Sequence, residues 1–341
     1  MMLKPSTCPH IGRAPVTYMM MLSALSLSLL SGPAAHAAPI DAQAVNVAPL
    51  PVLSAQVPVE KQADPDPGLV KLQIMLDRAG ISPGVIDGHD GENLRKAVAI
   101  FSQREGLNDK EATDPQHMNA LNDQVPAMQA YVITQDDVQD LVENIPDDYA
   151  EQARMQRLGY TSAAEKLSER FHMDIELLRR LNPTATFVPG ETIAVARPGD
   201  ARTAEVFRIQ AERTRGQLSA YAKDGSLIAA YPATIGSKQT PSPKGTHKVK
   251  GVARNPTYAY NPAINFQQGG NRKKLTLPSG PNGPVGSVWI DLTEPTYGIH
   301  GTPEPSLIDK VGSHGCIRLT NWDAEELAGM VKPGVVVEFV D

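Results

Sequence analysis

The stretch YGIHGTPEPSLIDKVGSHGCIRL, residues 297–319, decides how this chain is read. It sets His300 and His314 close to Cys316. A thiol reacts as its thiolate, and an ordinary pKa of about 8.5 leaves it mostly protonated at neutral pH. A nearby imidazole can take that proton, and a cysteine activated in this way attacks a carbonyl to give a thioester. Gly315 removes a side chain just where the backbone must approach a substrate. Backbone N–H groups in such a turn can point at a developing oxyanion. Gly298 and Gly301 flank His300 in a similar way. Spacing alone leaves the base open between His300 and His314, because in a strand His314 and Cys316 would share a face.

The cysteine count bears on this reading. The chain has two cysteines, Cys8 and Cys316, and the first lies in a segment that reads as an export signal. Over residues 1–37, Lys4 and Arg13 supply basic charge. The apolar run from Tyr18 to Leu30 is too short to span a bilayer, and Ala35-His36-Ala37 offers a cleavage site. Cleavage there removes Cys8 and leaves one thiol in an oxidising compartment, where cysteines usually pair. A thiol with no partner is either buried and inert or kept for reactivity. No later segment is apolar enough to cross a membrane. The expectation is a soluble periplasmic protein, monomeric, that meets the membrane only during export.

A length of 341 residues fits two or three domains, and the 29 prolines, which are clustered, suggest linkers between them. No basic patch, aromatic-basic interleaving or zinc-finger spacing accompanies the net charge of -6, which excludes nucleic acid as an expected partner. The histidine and cysteine spacing lacks a zinc pattern, so neither metal nor cofactor is expected.

Residues 38–67, rich in Ala, Pro and Val, read as a disordered linker. Residues 68–125 read as a small helical domain. Leu69, Leu72 and Leu76 fall at helical spacing, Asp87-Gly88 makes a tight turn, and Leu94, Ala97, Val98 and Phe101 mark a second helix. Residues 126–200 combine an acidic connector, expected to be a solvated face, with a module of two helices. In that module Ala164, Leu167 and Phe171 share one face, Ile175, Leu178 and Leu181 the other, and a strand follows Pro189-Gly190.

From residue 204 to 341 the pattern turns to strands. Asp224-Gly225 between two apolar runs is a strong hairpin signal. Further strands are expected around Thr246–Val252, Ser287–Leu292 and Val335–Val340. The Gly-, Pro- and Asn-rich segment from Asn255 to Pro284 reads as a flap over the site. A single helix is expected from Trp322 to Val331 after Thr320-Asn321.

Gly298-Ile299-His300-Gly301-Thr302, Ser313-His314-Gly315-Cys316-Ile317-Arg318-Leu319, Pro241-Ser242-Pro243-Lys244-Gly245 and Asn321-Trp322-Asp323-Ala324 together resemble the YkuD-type L,D-transpeptidase domain. Residues 72–107 resemble a peptidoglycan-binding domain, with Ser102-Gln103 where Phe-Gln is usual. Residues 158–196 resemble the later part of a LysM repeat whose opening strand is missing. The first resemblance implies a mostly β fold, a curved mixed sheet that cradles the cysteine. It also implies Cys316 as nucleophile, His300 as general base, the Gly301 carbonyl orienting that base, and His314 and Gly315 supporting the site. Arg318, Ser313 and Tyr297 would bind substrate. The implied reaction is attack on the third-residue carbonyl of a tetrapeptide stem, loss of D-alanine, and transfer to an amine of a second stem or of a wall-anchored protein. Alternatives are an L,D-carboxypeptidase or L,D-endopeptidase using the same residues, or a wall-binding protein without activity. The implied partners are peptidoglycan stem peptides and glycan.

Overall fold

The computed structural model describes residues 40–51, 53, 64–107, 121 and 124–341. The export signal, Cys8 and part of the expected linker, including residues 54–63, lie outside the described residues. Among those residues, no helix is long and apolar enough to cross a membrane.

Seven helices are used below: α1 Ala42–Val47, α2 Pro67–Arg78, α3 Glu92–Arg104, α4 Tyr149–Gln152, α5 Ala163–Arg170, α6 Ile175–Leu181 and α7 Asn321–Met330. The expected linker is partly folded, since α1 lies in its first half. Asp41 accepts the Ala44 N–H at the N-terminus of α1, Lys71 Nζ donates to the carbonyls of Asn46 and Ala48 at the other end, and Val45 is wholly buried. A short Ala/Val stretch cannot fold alone, but it can dock on a core supplied by others.

That core comes from α2, which is apolar on two sides. Leu69, Leu72 and Leu76 pack with Leu94, Val98 and Phe101 of α3. Val70 and Ile74 pack instead with Leu167, Leu178, Ile193 and Val195. The loop after α2 is closed by Gln73, whose Oε1 accepts from the N–H groups of Asp87 and Gly88. Gly88 holds a φ of 75°, which only glycine adopts freely.

Strands β1 Met128–Val132 and β2 Thr192–Ala196 pair antiparallel, Met128 opposite Ala196 and Val132 opposite Thr192, with α5 and α6 between them in sequence. A strand therefore does precede the two helices, but it lies in the segment read as connector. Nor is that segment wholly solvated. Asp137 is buried, and its carboxylate accepts from Tyr131 Oη, the Thr134 N–H and Oγ1, and Arg170 Nη1. Four donors compensate the desolvation that an isolated charge would suffer.

The remaining strands are β3 Arg208–Glu212, β4 Gln217–Tyr221, β5 Leu227–Pro232, β6 Thr234–Ile235, β7 Gly245–Arg254, β8 Tyr258–Tyr260, β9 Leu275–Leu277, β10 Val288–Leu292, β11 Gly298–His300, β12 Ile317–Arg318 and β13 Val336–Val340. All but β8 and β9 join one sheet in the order β5-β4-β3-β13-β7-β10-β11-β12-β6. It is mixed, parallel at β13–β3 and β11–β12. Its two edge strands, β5 and β6, are separated in the chain by Ala233 alone, so the sheet must curl strongly for one residue to bridge them. The curl encloses Ile209, Leu218, Val249, Ile290, Ile299 and Ile317, and α7 contributes Ala324 and Leu327 to the same core.

The edge at β5 is covered by the N-terminal half. Ala230 donates its N–H to Gly80 O and accepts from the Ser82 N–H, both at 2.9 Å. On the opposite side Asn93 Nδ2 donates to Ile308 O, and Lys96 pairs with Asp309. The helical and β parts therefore share backbone bonds as well as side-chain contacts.

Candidate active site

The site follows from the pleat of three neighbouring strands. Ile299 and Ile317 lie opposite each other in the parallel pair β11–β12, both wholly buried in the core. Side chains alternate along a strand, so His300 and Arg318 turn to the other face, where Cys316, in the turn before β12, also lines the cleft. On β10, Val288, Ile290 and Leu292 take the core, which leaves Trp289 on the same face as His300, its register partner. These four side chains line a cleft of about 420 Å³ together with Tyr297 and His314.

His300 is 4% exposed. Its Nδ1 lies 2.7 Å from Gly301 O. A carbonyl can only accept, so Nδ1 carries the hydrogen and Nε2 holds the free lone pair. Trp289 stacks on the ring, centroids 5.5 Å apart and planes 18° from parallel. Gly298 makes this possible, because a Cβ there would sit 2.5 Å from Trp289 Cζ2. Burial pushes the His300 pKa down to about 4, with Arg318 adding to the shift and the Gly301 bond opposing it.

Cys316 is half-buried, and its Sγ lies 3.8 Å from Thr296 O. Burial pushes its thiol up, while the Gly298 N–H and the Arg318 guanidinium pull it back. Both shifts disfavour the charged forms and so oppose a thiolate–imidazolium pair. Proximity to an imidazole suggested a thiol already relieved of its proton, but the dry surroundings of both groups weigh against either charge.

The cysteine loop is pinned from behind. Ser242 Oγ donates to Gly315 O at 2.8 Å, Thr240 Oγ1 donates to Ser313 O at 2.8 Å, and the Ser313 N–H donates to Gly236 O at 3.0 Å. Ser313, expected to bind substrate, is 2% exposed, and its hydroxyl donates to Cys316 O at 2.6 Å. Its position is behind the loop, where it holds the turn. Gly315 has a φ of 106°, and a Cβ there would sit 2.6 Å from Tyr297 Cε1, so conformation and space both require glycine. Tyr297 and Arg318 do line the cleft. His314 sits in the turn before β12, so strand alternation does not apply to it. Its ring stacks on Phe266 of the Asn255–Pro284 segment, centroids 4.2 Å apart.

That segment contains the antiparallel hairpin β8–β9 and borders the cleft through Tyr258, Phe266 and Pro284. Behind His300, Asn321 Oδ1 accepts the Ser287 N–H at 3.2 Å and lies against Gly301, which has no room for a side chain. Asn321 Nδ2 donates to Glu169 of α5 at 2.9 and 3.3 Å. Sequence reasoning missed Trp289, Phe266, Tyr149 and the Asn321 link. Trp289 was legible from the alternation of β10, whereas the others meet the site only through distant contacts.

Residues 207–338 match the YkuD family model, described as the L,D-transpeptidase catalytic domain. The chain is 34% identical over 131 residues to the putative L,D-transpeptidase YkuD of Bacillus licheniformis, covering 38% of this chain and 64% of that protein. It is 27% identical over 190 residues to the probable L,D-transpeptidase YbiS of Escherichia coli, covering 54% of this chain and 61% of that protein. The chain thus spans less than two thirds of the length of either relative. Among solved structures, L,D-transpeptidase 1 of Mycobacterium tuberculosis aligns at 19% identity over 45% of this chain and 68% of that chain, with a TM-score of 0.31. The match to the L,D-transpeptidase catalytic domain model therefore covers residues 207–338, less than half of this chain, and takes in both His300 and Cys316.

Proposed function

We propose that the chain is an exported, periplasmic peptidoglycan L,D-transpeptidase acting on tetrapeptide stems. The observation that carries the scheme is the 2.7 Å bond fixing His300 Nδ1 on Gly301 O, which leaves Nε2 as the proton acceptor on the cleft side of the sheet. Cys316 Sγ attacks the carbonyl of the third stem residue as its proton passes to Nε2. The Gly315 N–H, held only at 3.3 Å by Ser313 Oγ, is available to the developing oxyanion. Collapse breaks the peptide bond, and D-alanine leaves as an amine with the proton from His300. An acyl-thioester remains on Cys316. An amine of a second stem or of a wall-anchored protein then attacks it, giving a 3–3 cross-link or a protein attachment and restoring the thiol.

A buried, weakly basic imidazole suits this sequence. Its conjugate acid is a strong donor to the departing amine, and it holds no charge at rest that would need solvating. Arg318 supplies the cation for a stem carboxylate, and Tyr297 packs beneath the turn. No cofactor enters the scheme. Residues 68–125 and the module within 126–200 serve to hold the enzyme at its polymer, which raises local substrate concentration without changing the chemistry.

The test is D-alanine release and dimer formation from a disaccharide-tetrapeptide, with intact mass measured after incubation with a carbapenem. Wild type is expected to release D-alanine, form dimers and gain a covalent adduct, none of which Cys316→Ala shows. Release with no dimer would mark an L,D-carboxypeptidase. No release and no adduct would sink the acyl-enzyme reading.

A further inference from the structure

One wall of the cleft is not built by the catalytic domain. Tyr149, the first residue of α4, lies well upstream of residue 207, yet it lines the same cleft as Cys316 and Arg318. Its ring meets Tyr258, Tyr260 and Phe266 edge-on, with centroids 6.1, 5.3 and 6.0 Å away. A four-residue helix has no stability of its own, and α4 is held at its N-terminus from both sides. Asp148 Oδ1 accepts the N–H groups of Ala150 and Glu151, while its Oδ2 accepts from Asn271 Nδ2 at 3.1 Å. Gln268 Oε1 accepts the Tyr149 N–H at 3.2 Å, and Gln268 Nε2 donates to Asp147 O at 2.8 Å. The capping is thus shared with two side chains of the flap.

The other end of the flap is tied to the same segment. The Leu158 N–H donates to Ser279 O at 2.9 Å, and Leu158 O accepts the Asn282 N–H at 3.0 Å. Leu158 is wholly buried with Tyr260 and Leu277 in a small apolar core that belongs to the flap and this segment alone. Gly280 lies so close to the Leu158 carbonyl that any side chain there would collide with it.

We propose that residues 147–159 brace the flap from outside the catalytic domain, and that Tyr149 is a substrate-positioning residue of the acyl-donor cleft. The second half rests on the transpeptidase reading above. Tyr149 lines the cleft together with Trp289 and Arg318, and the Arg318 guanidinium, the cation expected to meet a stem carboxylate, is near enough to act on its phenol. Burial pushes the Tyr149 phenol up to about 12, so it stays a neutral donor throughout the working range.

The experiment uses the full chain and two readouts. In D-alanine release from a tetrapeptide donor, Tyr149→Ala is expected to raise KM at least fivefold with kcat within threefold of wild type, and Tyr149→Phe to keep KM within threefold. In alkylation of Cys316 by a bulky maleimide, which needs no turnover, Tyr149→Ala and Asn271→Ala are both expected to react at least threefold faster than wild type, because the flap is loosened. Asn271→Ala touches only the rim and keeps the test usable should Tyr149→Ala fail to fold. An unchanged KM in Tyr149→Ala, or a loss confined to kcat, overturns the positioning role. Unchanged maleimide rates overturn the brace, even if wild type releases no D-alanine and the transpeptidase reading itself has failed.

Discussion

Trp289 and His300 lie face to face on adjacent strands, with planes 18° from parallel. The indole holds the imidazole against the sheet and keeps water from one of its faces. Trp289→Leu keeps an apolar residue at this position but removes the flat surface, freeing the ring to tilt about the Gly301 bond. A displacement of about 1 Å at a reacting group can cost about 100-fold. We expect kcat for D-alanine release to fall 10- to 100-fold with little change in KM, checked by steady-state kinetics and a thermal melt that stays near wild type.

Asn321 joins α5 to the backbone beside His300. Its amide donates to Glu169 and accepts from Ser287, and its side chain occupies the space that Gly301 leaves open. Removing it strands a buried carboxyl and a buried N–H together. A buried group left unpaired costs about 1–3 kcal/mol. Asn321→Ala is expected to lose stability in that range and to lower kcat about tenfold, while Asn321→Asp should be worse because it faces Glu169 with a second carboxyl. Chemical denaturation and D-alanine release separate the two effects.

The neutral resting pair has a pH signature. With the thiol above its ordinary value and His300 near 4, thiolate is scarce at neutral pH. The rate of Cys316 alkylation by iodoacetamide should climb about tenfold per pH unit from pH 6 to 8.5, following the thiolate fraction. A fast plateau below pH 6 would reveal a preformed thiolate–imidazolium pair and reverse this assignment. The kcat/KM for donor should lose its acid limb only near pH 4, where His300 takes up a proton and can no longer accept one from sulfur.

Stability should respond to pH through a different cluster. Burial pushes Asp323 up to about 8 and Glu169 up to about 7, while Asp77 beside His172 holds that imidazole above its ordinary value despite burial. In each case the folded chain keeps a proton that the unfolded chain has lost or is losing. Their contribution is therefore greatest at low pH and drains as pH rises through these values. His300 acts in the opposite sense, but only below about 6.5. Between pH 6.5 and 8 the melting temperature should fall by a few degrees, each group contributing at most about 1.4 kcal/mol per pH unit. Asp323→Asn should flatten the slope between pH 7 and 8, as read by calorimetry.

The strands of the catalytic domain and its site were readable because their signals are local. Strand-like runs placed β7, β10 and β13, Asp224-Gly225 placed the β4–β5 hairpin, and the histidine–cysteine stretch marked the cleft. What escaped is non-local. Asp148 and Gln268 are ordinary polar residues until the fold brings them together, and Asp137 reads as solvated until Tyr131, Thr134 and Arg170 converge on it. His314 does line the cleft with Cys316, but from the turn before β12, since the two-residue strand starts one position after Cys316. Helix α1 was missed because docking on α2, rather than its own composition, orders it.

The pairing of Gly80 and Ser82 with Ala230 has a consequence for how this molecule is made. An open strand margin invites pairing with other chains, the first step toward insoluble aggregates. Here the covering segment precedes β5 in the chain, so synthesis delivers the guard before the margin it protects. A fragment trimmed to the β half, residues 204–341, would lack that guard and should tend to self-associate, however well its strands fold.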